Sequence, residues 1–174
     1  TTLQSYLKNN RGPGLEENAF SAHPGLGQKL GVFVTLRKNN DLRGCIGSII
    51  GAEPLYRGVM ANAVHAAVDD PRFPPLGLGE LPGVEIEISV MTPLRPLADY
   101  RDIRLGTDGV VIRDGAAQAV FLPQVARETG WSLDEFLGNL CLKAGLERDA
   151  YRRSATLRFQ VFQAQVFSEK GLKG

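Results

Sequence analysis

The chain's 174 residues suit one domain, or two small lobes around a core, and should bury ~70% of the extended-chain surface without staples. Hydrophobic residues at 43%, charged residues at 22% and a net charge of +1 leave no global field to draw nucleic acid or an anionic membrane. Two cysteines exclude a disulfide framework and are too few for an iron–sulfur cluster, so a reducing compartment, the cytoplasm, is expected.

Thr2 to Lys8 has the pattern of one or two helical turns, and opening at Thr1 as if inside a helix makes that helix look incomplete. A loop rich in glycine and proline follows, up to Gly31. "GVFVTLR" and "LRGCIGSII" are β-rich runs joined by the polar "KNND", a hairpin pattern. "LYRGVMANAVHAAVDD", Leu55 to Asp70, repeats apolar residues at helical spacing, and Pro71 forces Asp70 out of the helix. "DPRFPPLGLGELPG" is an irregular connection. "VEIEISV" alternates, with Val84, Ile86, Ile88 and Val90 on one face and Glu85, Glu87 and Ser89 on the other. A second hairpin turns at Asp114-Gly115. Ser132, with Glu135 three residues on, caps a helix that runs past Cys141 to Gly145. "LRFQVFQAQVF" is expected as one final strand. Hairpins mixed with helices favour an α+β fold, antiparallel sheet with packed helices, over a doubly wound one.

The chemistry concentrates in Leu42 to Ser48. In a regular strand Arg43, Cys45 and Gly47 share a face. Gly47 would then leave a notch beside the thiol, and Gly44 would admit another backbone or a ligand from behind. A guanidinium beside a thiol favours the thiolate and suits an anionic ligand. A buried structural cysteine flanked by a glycine bulge fits the same residues. His65 shares a polar helical stripe with Asn62 and Asp69, and is either a general base for Cys45 or a surface histidine. Asp70 and Arg72 either flank a pocket or brace the loop as an ion pair.

No His-x-x-x-His, Cys-x-x-Cys or phosphate-loop pattern occurs, so neither metal nor cofactor is expected. No run of 18 apolar residues occurs, so no membrane association is expected either. Arg152, Arg153 and Arg158 suit a solvated rim better than a nucleic-acid groove.

Together "GVFVTLRKNNDLRGCIGS", "AAVDDPRFPPL", "VEIEISVMTPL", "FLPQVARETGW" and "LCLKAGL" resemble the AMMECR domain family, whose prokaryotic members are called AmmeMemoRadiSam system protein A. The likeness runs in order from Gly31 to Phe167; Tyr151 stands where the family pattern has tryptophan. It implies one AMMECR-type domain over 1–174, with a larger and a smaller lobe sharing one core around antiparallel sheet. It also implies association with a Memo-family protein and a radical-SAM protein, and supplies no established reaction. The signature falls on Leu42, Arg43, Gly44, Cys45, Ile46 and Gly47, and a second block on Asp70, Pro71, Arg72 and Phe73.

Two roles lead. In the first, the chain is an accessory subunit that binds a ligand or partner, with Gly44, Gly47, Asp70, Arg72 and Phe73 in the site. In the second it is a thiol-dependent enzyme with Cys45 as nucleophile, Arg43 holding an anionic group and His65 or Asp70 handling protons. A nucleic-acid-binding module stands well behind both.

Overall fold

The computed structural model describes residues 2–9, 11 and 23–169; most of the expected glycine-rich loop falls outside them. The chain divides into two compact units. One comprises Thr1–Met91 with Gln165–Gly174, and the other Thr92–Ala164. Two four-stranded antiparallel sheets with helices make the fold α+β, as expected.

The first unit opens with helix α1 (Thr2–Asn9) and a short 3-10 turn at Pro24–Gly27. Strands β1 (Val32–Lys38) and β2 (Asp41–Ser48) form the predicted hairpin. Asn39 and Asn40 turn it with φ of 54° and 69°, a left-handed pair that asparagine tolerates. Helix α2 (Leu55–Val68) follows Pro54 and closes at Asp69, whose N–H reaches the His65 carbonyl. The connection beyond Pro71 holds a 3-10 segment at Leu78–Gly83. Strand β3 (Val84–Met91) then pairs with β1, and β8 (Ala164–Ser168) completes the sheet in the order β2-β1-β3-β8. Val34 and Leu36 are fully buried under Ala63, Ala66 and Ala67 of α2, because small alanines let the helix lie close on the strands.

The second unit carries β4 (Arg95–Leu97), β5 (Gly109–Asp114), β6 (Ala117–Phe121) and β7 (Arg158–Phe162), ordered β4-β7-β5-β6. The turn at Gly115 has φ 58°, as the Asp-Gly pair predicts. Helices α3 (Pro123–Thr129), α4 (Leu133–Lys143) and α5 (Ala150–Arg153) complete it. The Ser132–Glu135 capping box is present, and Gly145 ends α4 at φ 77°. Phe136, Leu137, Leu140 and Cys141 of α4 are buried against Val110 and Ile112 of β5. Buried apolar side chains cluster within each unit, around Val34 and Leu36 in the first and around Phe136 and Leu140 in the second.

The expected single final strand is corrected here. It breaks at Gln163, whose N–H donates to Thr92 Oγ1 at 2.9 Å and whose carbonyl accepts from Thr92 N–H. That exchange of hydrogen bonds takes Gln163 out of both ladders, so β7 and β8 belong to different sheets. Among the described residues no helix is long and apolar enough to cross a membrane.

Candidate functional site

The signature strand is not a regular ladder. Lys38 pairs with Asp41 and Arg37 with Leu42, but Leu36 faces Gly44 and Thr35 faces Cys45, so Arg43 is an extra, bulged residue. An unbroken register from the two-residue turn would set Cys45 opposite Val34, on the buried face. The bulge shifts it by one and sets it opposite Thr35 on the other face.

This shift corrects the expected pairing of Arg43 with Cys45. Arg43 goes to the Leu36–Lys38 side, where its Nη2 and Nε donate to the Glu80 carboxylate at 3.1 and 3.4 Å. Lys38 Nζ reaches the same carboxylate at 2.9 Å. The Arg43 and Lys38 hydrogen bonds hold Glu80 down to about 2. Arg43 Nη1 is buried with no hydrogen-bond partner among the described residues.

Both glycines turn out to be packing devices. A Cβ on Gly44 would sit 2.0 Å from the Ala66 carbonyl oxygen, so the backbone admitted there is α2. A Cβ on Gly47 would sit 2.5 Å from Phe33 Cγ, so the expected notch beside Cys45 is filled by a ring. The Cys45–His65 pair does not form. Helix α2 covers the Gly44 face, Cys45 points to the opposite face, and His65 is exposed on the helix.

Asp70 and Arg72 do come to Cys45, through its backbone. Strand β2 lies at the sheet margin, and the Cys45 N–H, turned away from β1, donates to Asp70 Oδ2 at 2.8 Å. Arg72 binds the same carboxylate through Nε at 2.9 Å and Nη2 at 2.7 Å, and Nη2 also reaches the Cys45 carbonyl at 3.3 Å. The Asp-Pro-Arg-Phe turn, closed by Phe73 N–H to the Asp70 carbonyl, thus does for one residue what a neighbouring strand would do. Asp70 is 4% exposed. The Arg72 hydrogen bonds first, and the Cys45 N–H after them, hold its carboxyl far below the usual range despite burial. The Arg72 side chain is 54% exposed, lies over the half-buried Phe73 ring at 5.5 Å, and leaves Nη1 without a partner among the described residues.

On the face away from α2, the half-buried Cys45 Sγ accepts from the Thr35 hydroxyl at 3.3 Å. Glu87 of β3 stands directly opposite Thr35, so Cys45, Thr35 and Glu87 form a row across three strands. Thr35 is buried. Sequence reasoning missed Thr35 and Glu80, since only the bulge sets their partners. Cys141 is fully buried in α4, and burial pushes its thiol up. Arg152 pairs with Asp134 and Arg153 with Asp149.

The AMMECR1 family model matches residues 1–167. A protein of Methanothermobacter thermautotrophicus is 47% identical over 150 residues, covering 83% of this chain and 78% of its own length. One from Thermofilum pendens is 41% identical over 189 residues, covering 99% and 86%. The crystal structure of the uncharacterized protein PH0010 from Pyrococcus horikoshii superposes with a TM-score of 0.83 at 36% identity, covering 97% of this chain and 86% of that one.

Proposed function

The chain belongs to the AMMECR1 family, whose biochemical role is undefined, and from that premise we propose that it is an accessory, ligand-binding domain. Its recognition surface is the signature strand with the Asp-Pro-Arg-Phe turn, and its partners are Memo-family and radical-SAM proteins. The reading is supported above all by Arg72. Asp70 locks the guanidinium in a two-pronged hydrogen bond beside Cys45 and leaves Nη1 open, which is how an arginine is prepared to hold a carboxylate or phosphate. A small anionic ligand, or an acidic group on a partner, fits there.

The experiment is retention of purified Memo-family and radical-SAM proteins on immobilised chain. Retention by the wild type and its loss in Arg72→Gln is the expected pattern; no retention by the wild type ends the reading.

A thiol-dependent activity is the second reading, favoured by the Thr35 hydroxyl aimed at Cys45 Sγ. The two readings separate cleanly. Cys45→Ser keeps partner retention under the first and abolishes activity under the second. Alkylation of native protein, read by peptide mass spectrometry, gives the complementary test: a nucleophilic Cys45 reacts far faster than Cys141.

A further inference from the structure

The sequence sets Arg158 close to Arg152 and Arg153, but the fold gives it another neighbour. Arg158 opens β7 and stands directly opposite Arg113 of β5. Arg113 in turn stands opposite Gln118 of β6, so the three make a row across neighbouring strands. Val110 and Ile112 of β5 pack toward α4, so strand alternation sets Arg113 and its row on the other face of the sheet. All three residues are exposed.

Like charges directly opposite one another weaken a strand pair. A carboxylate between them would remove the conflict, and Asp114 is next in sequence. Its carboxylate is spent on the Thr156 and Ser154 hydroxyls, which hold it low, and Arg158 acts on it only through space. The two arginines are held by neutral oxygens instead. Arg113 Nε and Nη2 both donate to Gln118 Oε1, at 3.1 and 2.9 Å, and Arg158 Nη1 donates to the Ala155 carbonyl at 3.0 Å. These bonds orient the guanidinium groups without cancelling their charge. Arg113 Nη1 and Arg158 Nε and Nη2 have no partner among the described residues. With Oε1 turned to Arg113, the Gln118 amide nitrogen remains as a further donor.

Charge and shape select the occupant. Two oriented guanidinium groups on paired strands, about 5 Å apart at Cα, present two positive charges and donors from separate side chains. A tetrahedral dianion answers both, since its oxygens point apart and its charge matches. A carboxylate is flat and singly charged, so it would serve one arginine and leave the other uncompensated. A nucleic-acid backbone offers one negative charge at each phosphate, again half of what the row holds. We propose that Arg113, Arg158 and the Gln118 amide bind a phosphate monoester on this face of the second sheet. The site lies in the second unit and does not rest on the role proposed for Arg72.

The test follows the backbone amide signals of residues 111–114 and 157–160 by NMR in the full chain. Inorganic phosphate is added at about pH 8, where it is a dianion, against chloride at matched ionic strength. Signals resolved by residue separate this site from Arg72, which suits the same anion. Expected is half-saturation below about 10 mM. Arg158→Gln and Arg113→Gln should each weaken binding about fivefold or more, whereas Arg72→Gln should leave it unchanged. Without phosphate, Arg158→Gln should unfold at the wild-type temperature or above it, because the like-charge pair is relieved. No response along these strands overturns the inference, and so does equal binding of acetate. A lower unfolding temperature for Arg158→Gln also overturns it, since Arg158 would then serve stability. Oligothymidylate bound here more than about tenfold tighter than phosphate overturns it in favour of nucleic acid.

Discussion

The two margins of one sheet are finished in opposite ways. At the β2 margin the Cys45 N–H and carbonyl are taken by Asp70 and Arg72, so the edge is closed by side chains at the signature cysteine. At the β8 margin two large apolar side chains, Val166 and Phe167, stand half exposed, and Glu169 just past the strand accepts the Ile86 N–H. A sheet edge is normally a liability. Closing one with an ion pair holds the Cys45 backbone and displays Arg72. The difference sets buried charge and its hydrogen bonds at one margin and exposed apolar side chains at the other.

Disturbing the closed margin should have the largest effects. Gly44→Ala drives a Cβ into the Ala66 carbonyl, which is backbone and cannot rotate away, so β2 and α2 must part. A loss of about 3 kcal/mol is expected in urea unfolding. Gly83→Ala, with nothing within 4 Å, is the control. A loss below about 1 kcal/mol for Gly44→Ala would mean that α2 is not held against the strand.

Asp70→Asn comes next, at about 2 kcal/mol, because it keeps the size of the side chain but breaks the charged pair with Arg72. The pH dependence has a definite sign. The Asp70 carboxyl is lowered in the folded chain from its ordinary 3.8, so its contribution is complete above pH about 4 and fades as pH falls toward the folded value. The stability gap between wild type and Asp70→Asn should therefore be constant from pH 7 to about 5 and shrink below about 4. A gap unchanged at pH 3 would show that the pair adds nothing as a charge.

Much of this was legible in the residues. Alternation in Val84 to Val90, the Asn39-Asn40 turn and the Ser132 cap each state their element through local chemistry, and each was found. The irregular steps were not. The bulge at Arg43 is chosen by tertiary fit: Gly44 must lie under Ala66 while Arg43 reaches Glu80, and neither partner is near in sequence. Counting back from the turn places Cys45 on the wrong face; assuming an ideal strand finds its face but wrongly adds Arg43 to it. The break at Gln163 was missed for the same reason, since its cause is Thr92, far away in the chain. The Asp70–Arg72 pairing was within reach of sequence reasoning, because two residues in an extended turn face the same way. That the pair closes a strand edge was not, because the edge is a property of the sheet.

The smallest effect belongs to the β8 margin. Val166→Lys replaces a 46% exposed side chain, so the change in unfolding free energy should stay within about 0.5 kcal/mol. Its consequence should lie in association. A lysine on an edge strand obstructs another strand's approach, so light scattering of concentrated or gently heated protein should fall. Partner retention through Arg72 should stay as in the wild type. A loss near 2 kcal/mol would instead mean that Val166 is packed and the edge covered, and the contrast between the two margins would collapse. Unchanged stability with unchanged scattering would show that the exposed apolar side chains of this margin take no part in association.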